Sequence, residues 1–221
     1  MAAIRSVLAV PGFALLAWLY RGKTTSERNT TSRRNDLLLA LFAGFLCYYL
    51  GALANFYALT IVDASVERPL LFAYPLFVVI ITTVITRQPP SARMLLALLL
   101  TTLGVVLVTG ALNARLSVSQ WSGMAWILFC SLSIAIYTLI SGELTQRLGS
   151  GLFTFTAMSA AAVGMAVHYQ IFAGWENVEL SVTAWWTLAA LVVFSTVLPL
   201  FLMAEGVRRV GAAKASLIST L

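Results

Sequence analysis

Apolar residues run in long blocks along this chain, with polar and charged residues gathered into short stretches between them. A helix that crosses about 30 Å of hydrocarbon needs roughly 20 apolar residues, because every backbone N–H and C=O must be paired within the segment. Seven blocks meet that length, near residues 4–20, 37–60, 65–85, 92–112, 120–141, 151–173 and 182–204. An eighth apolar helix starts around Gly211 and runs to Leu221, too short to span by itself. The first block lacks a small-residue cleavage site and is followed by a basic stretch, so it reads as a retained span rather than a signal peptide. The pattern predicts an all-α polytopic membrane protein with seven full spans and part of an eighth.

Composition removes the alternatives. With 60% hydrophobic and 10% charged residues among 221, the chain is too apolar for a soluble domain and too poor in charge for disorder. Cys47 and Cys130 both sit inside apolar runs without C-x-x-C spacing, which argues against a disulfide framework or a zinc ribbon. His168 is the single histidine, and neither a Walker-type loop nor G-x-G-x-x-G occurs. No cofactor, no metal and no enzymatic activity are therefore expected. An enzyme buried in the membrane would need His, Asp, Glu or Cys clustered within the spans, and the sequence offers no such cluster.

The net charge of +6 does not point to nucleic acid, because the basic residues lie between the spans. Eleven of the fourteen fall in alternate connections: Arg21, Lys23, Arg28, Arg33 and Arg34, then Arg87 and Arg93, then Arg147, then Arg208, Arg209 and Lys214. The other side carries Arg5, Arg68 and Arg115 with Asp63, Glu67, Glu176 and Glu179. Positive charge is retained on the cytoplasmic side, so the first set is read as cytoplasmic. Trp121, Trp175, Trp185 and Trp186 lie close to span ends, as an interfacial aromatic belt requires.

Slid against itself, the chain repeats its element pattern at an offset of 147 residues, by hydropathy rather than by matched letters. The 4–20 span falls on 151–173, the 37–60 span on 182–204, and Ala58 to Tyr74 on Glu205 to Leu221. One repeat would then hold five helices, and an odd number sends the second copy through the membrane inverted, an arrangement common among secondary transporters. Residues 1–112 form the first repeat without its first helix and residues 113–221 the second without its last helices.

Asn55-Phe-Tyr-Ala-Leu-Thr-Ile-Val-Asp-Ala-Ser-Val-Glu-Arg-Pro-Leu-Leu-Phe-Ala-Tyr-Pro-Leu-Phe-Val78 resembles the join between third and fourth helices in EamA-domain proteins of the drug/metabolite transporter superfamily. Glu205 to Leu221 is similar to the eighth-to-ninth join, and Arg93 to Gly110, with Gly104-Val-Val-Leu-Val-Thr-Gly110, to the fifth helix. The resemblance implies a ten-helix transporter whose first helix, remaining ninth helix and tenth helix lie outside this sequence. It also implies export of small metabolites, amino-acid-like or amphipathic, by alternating access and with protons as candidate coupling ions. The implied partners are the lipid bilayer and a small-molecule substrate, with a second copy of the chain as a further candidate and no nucleic acid. The short loops favour a bacterial inner membrane. The rival reading is a truncated fragment without transport activity. One departure is clear: where many members end the fourth helix with Gly-Glu, this chain has Thr86-Arg87-Gln88-Pro89-Pro90.

Polar groups in a bilayer are costly, so those inside spans are the candidates for a substrate cavity. Asn55 lies in the outer half of its span with Tyr48 and Tyr57 near it, able to bond a substrate or a neighbouring helix. Tyr74 and Pro75 lie mid-span, where proline removes one hydrogen bond and either exposes a carbonyl or kinks the helix. Glu67 falls opposite Lys214 in the repeat register. The carboxylate could take a proton or hold an amine at the outer mouth, and Lys214 a carboxylate at the inner one; alternatively both reach out to the headgroups. Trp126 and Tyr137 lie deeper in their span and either line a cavity or pack.

Overall fold

Backbone pairing within each apolar block dictates helices, and helices without any strand are what the described residues form. The structure, a computed structural model, describes residues 2–20, 30–109, 118–172 and 181–219. The basic and acidic positions Arg21, Lys23, Arg28, Arg115, Glu176 and Glu179, together with Trp175 and the side chain of Arg93, lie outside the described residues.

In chain order the helices are α1 (Ala2–Leu19), α2 (Thr30–Gly44), α3 (Ala52–Ala58), α4 (Ala64–Leu71), α5 (Tyr74–Thr86), α6 (Ala92–Thr109), α7 (Val118–Leu148), α8 (Ser150–Phe172), α9 (Val182–Ala190), α10 (Leu198–Val210) and α11 (Ala212–Ile218). Among the described residues, five continuous stretches are long and apolar enough to cross a membrane: Ser32–Ala58, Ala64–Thr86, Gln120–Leu148, Ser150–Phe172 and Val182–Val210. The expected spans at 4–20 and 92–112 are the shorter apolar helices of the described set, Ala3–Leu19 and Met94–Gly104. The molecule is an all-α, multi-pass membrane protein.

Three boundaries differ from the pattern-based expectation. α7 continues to Leu148 and α10 to Val210, so Arg147, Arg208 and Arg209 lie in last helical turns rather than in loops. Cations there meet the negative end of the helix dipole, which favours extending the helix through them. The expected 65–85 span is two helices, α4 and α5, separated at Phe72 and Ala73. Two long helices also contain a π-helical stretch, Phe45–Gly51 between α2 and α3 and Leu191–Val197 between α9 and α10. The stretches start 146 residues apart, within one residue of the offset read from the sequence.

The chain packs as two compact units, one of Met1–Tyr49 with Ile140–Val210 and one of Leu50–Leu139 with Gly211–Leu221. Each draws segments from both sides of residue 112. In the first, α8 lies against α1 and α2. Lipid tails are as apolar as leucine, so helices associate through close packing of small residues. Gly44 illustrates this: a Cβ added there would overlap the backbone of Ala157 on α8. The core of this unit is Ala9 and Phe13 of α1, Met158 of α8, and Val192 and Val197 of the second π stretch. Gly149 turns the chain from α7 into α8 at φ 81°, a conformation that costs glycine little. In the second unit, Ala58, Val62, Leu70 and Ile127 form one cluster and Tyr74, Val78 and Ala135 another, against which Ala212 and Ala213 of α11 pack.

Candidate functional site: a broken helix with buried polar groups

The second unit holds most of the candidate residues, and the break between α4 and α5 organises them. Pro75 has no N–H, so the Leu71 carbonyl four residues earlier loses its helical donor. The Ser131 hydroxyl on α7 supplies one, lying 3.0 Å from both the Leu70 and Leu71 carbonyl oxygens. Ser131 itself is fully buried. A carbonyl that proline leaves unpaired is thus taken up by a side chain from another helix, where the regular helix is interrupted at Phe72 and Ala73.

One turn either side of the break stand two more polar groups. Tyr74 is buried at the start of α5, and its hydroxyl donates to the Ser216 carbonyl on α11 at 3.2 Å and contacts the Ser219 hydroxyl. In the repeat register Ser219 corresponds to Phe72, so the tyrosine of one broken helix reaches the segment that matches the break in the other copy. Glu67 occupies the first turn of α4 and is only 2% exposed. Its carboxylate lies 3.3 Å from Arg68, whose side chain is 75% exposed, and it is close enough to Cys130 on α7 to act on that thiol electrostatically. Glu67 is thus packed inside the unit rather than extended from its surface. Lys214, its repeat counterpart, lies exposed on α11.

The remaining candidates separate. Asn55 on α3 has a buried Oδ1 without a hydrogen-bond partner. Such an atom carries a desolvation cost of about 1–3 kcal/mol unless a ligand or water meets it. Tyr57 stands edge-on to Trp126, ring centroids 5.8 Å apart at 81°, and both line an apolar cleft of about 410 Å³ with Leu50, Leu53, Ala54 and Phe129. Tyr137 is buried in α7. Tyr48 belongs to the first unit, packed against the Ala9–Phe13 core. Its neighbour Tyr49 makes a hydrogen-bond contact with His168 Nδ1 at 3.3 Å.

Sequence pattern alone does not find Ser131, Ser216 or Ser219. The available signal is the proline at 75, which demands a donor for a carbonyl without saying where in the chain it lies. The first unit has a different polar set. Glu205 on α10 accepts from Arg208, from Arg209 at 2.8 Å and from Ser150 at 2.6 Å. Asp36 on α2 is buried against Arg147, 3.1 Å away. Among the described residues no three His, Cys, Asp or Glu side chains come together as a metal set.

Known sequences match both halves of this chain. The EamA-like transporter family model matches residues 1–110 and again residues 121–221. The chain belongs to the EamA-like transporter family. A relative from Bacillus subtilis (strain 168), described as the uncharacterized transporter YcbK, is 34% identical over 219 residues, covering 97% of this chain and 69% of the relative. No solved structure matches. These similarities point to a membrane transporter rather than an enzyme.

Proposed function

We propose that this EamA-like chain exports small amino-acid-like or amphipathic metabolites across a bacterial inner membrane by alternating access of two inverted repeats, with protons as the coupling ion. Two separate family matches, one in each half, and the near-equal spacing of the two π stretches support the repeat. The resemblance supplies the direction of transport and the metabolite class. The apolar cleft beside Tyr57 and Trp126 suits the non-polar part of an amphipathic solute.

The observation that carries the mechanism is the buried Glu67 at the head of a helix broken at Tyr74 and Pro75. The carboxylate is withdrawn from water and faces an arginine that is itself largely exposed, and an ionisable group at such a place in a span is a candidate for carrying the coupling ion. Discontinuous helices offer unpaired backbone groups and a place for the chain to bend, which is how many transporters build a site at mid-membrane. Protonation of Glu67 would then change how α4 seats, and the break would let α4 move without dragging α5.

Proteoliposomes holding the Glu67→Gln variant, tested with a panel of amino acids and amphipathic amines across an imposed pH gradient, examine this reading. The expected result is flux that no longer responds to pH, with the folded protein yield unchanged. Flux of the variant that follows pH as the parent does would remove Glu67 from the coupling step.

A further inference from the structure

We propose that the first unit carries a binding site for one anionic phospholipid, in the cleft between the end of α1, the start of α2 and the start of α8, with Arg33 taking the phosphate. The cleft has a volume of about 320 Å³, and its lining includes Trp18, Tyr20, Arg33, Leu148, Leu152 and Phe155. It is independent of Glu67 and of the helix break, which belong to the other unit.

Three observations converge on that ligand. The first is the walls: apart from Arg33 the charge-bearing groups are absent from the lining, so the cleft offers apolar surface with one guanidinium. A guanidinium matches two phosphate oxygens at once, and the apolar surface takes the glycerol and upper acyl carbons that a free phosphate lacks. The second is the state of Arg33. It sits in the opening turn of α2, where a cation opposes the positive end of the helix dipole, and that turn holds no acidic residue. The carboxylate further along the same helix, Asp36, is already held by Arg147. No ion pair engages Arg33 among the described residues. An external anion would satisfy both the charge and the dipole.

The third is depth. Trp18 lies in the last turn of α1 and Tyr20 just past its end, and indole and phenol rings at the end of a span favour the headgroup level. The excess of basic residues in this connection marks the cytoplasmic face, the leaflet whose surface potential is set by anionic lipids. The shape follows from the sequence. A Cβ added at Gly151 would lie 3.0 Å from Ala17 Cα and from the Leu16 carbonyl, so α1 and α8 meet backbone to backbone just below the cleft. Ala14 and Ala17 leave its floor without bulk.

Native mass spectrometry of the detergent-purified chain, titrated separately with phosphatidylglycerol, phosphatidylcholine and inorganic phosphate, tests the site. Arg33→Gln removes the guanidinium, Leu152→Trp fills the apolar wall, and Arg34→Gln removes an equal charge from the neighbouring exposed position. The expected result is one phosphatidylglycerol held by the parent and by Arg34→Gln, and about tenfold weaker retention in both Arg33→Gln and Leu152→Trp. Equal losses in Arg33→Gln and Arg34→Gln would reduce the effect to diffuse surface charge and overturn the site. Retention of phosphatidylcholine as strong as that of phosphatidylglycerol would overturn it too, as would inorganic phosphate displacing the lipid completely.

Discussion

The two units handle polar groups in opposite ways. In the first, the carboxylates withdrawn from solvent are paired with cations: Glu205 with Arg208 and Arg209, Asp36 with Arg147. Its helices meet through Gly44, Ala157 and Gly151, where almost no side chain separates the backbones. In the second, polar groups lie inside apolar helices and answer to a break in the backbone: Ser131 to the Leu70 and Leu71 carbonyls, Tyr74 to α11, with Glu67 buried and Asn55 Oδ1 unmet. A region built on backbone contact and closed ion pairs has one good arrangement. A region whose helix is interrupted, and whose buried acid has only an exposed partner, has room for two. On the proposed function, the first unit is scaffold and the second carries the moving part.

Substitutions that strike at each mode should separate the two. The largest effect is expected at Gly44, where leucine must displace the Ala157 backbone. Gly44→Leu should cost at least about 3 kcal/mol, seen as a lost unfolding transition or an aggregated elution profile in detergent. Arg147→Ala comes next, because it removes the guanidinium that stands 3.1 Å from the buried Asp36. Since Arg147 is itself one-third exposed, about 2 kcal/mol is expected in denaturant unfolding. Smaller again is Ser131→Ala, which removes the donor to two buried carbonyls for about 1–2 kcal/mol. Its signature is local: amide exchange should rise through α4 and α5 while α8 stays protected. Uniform exchange across both helices and α8 would erase the contrast between the units.

Much of this was legible in the sequence, and the limits have physical causes. The apolar blocks predict the helices because a membrane leaves the backbone no other way to pair, and the two π stretches, which the sequence pattern does not predict, start 146 residues apart, one short of the offset of 147. Pro75 announces a disturbance at its position. It does not reveal that α4 and α5 are separate helices, since proline in a membrane helix is often absorbed as a kink. Arg147, Arg208 and Arg209 look like loop residues by charge, yet the dipole at a helix C-terminus keeps them helical. Glu67 reads equally well as a headgroup anchor, because burial depends on which helices surround it and not on its neighbours in sequence. Ser131 is one of several serines in an apolar helix, and only its distance to Leu71 distinguishes it.

The central claim is that the α4–α5 break, tied by Tyr74 to α11, changes arrangement during transport. The direct measurement is flux through the full protein carrying Tyr74→Cys and Ser219→Cys, before and after bridging the pair through two disulfides with a short bis-methanethiosulfonate. The account predicts that bridging arrests transport and that reductant restores it. Undiminished flux through the bridged protein would mean that this contact stays closed throughout the cycle, and the break would be a fixed feature of the fold.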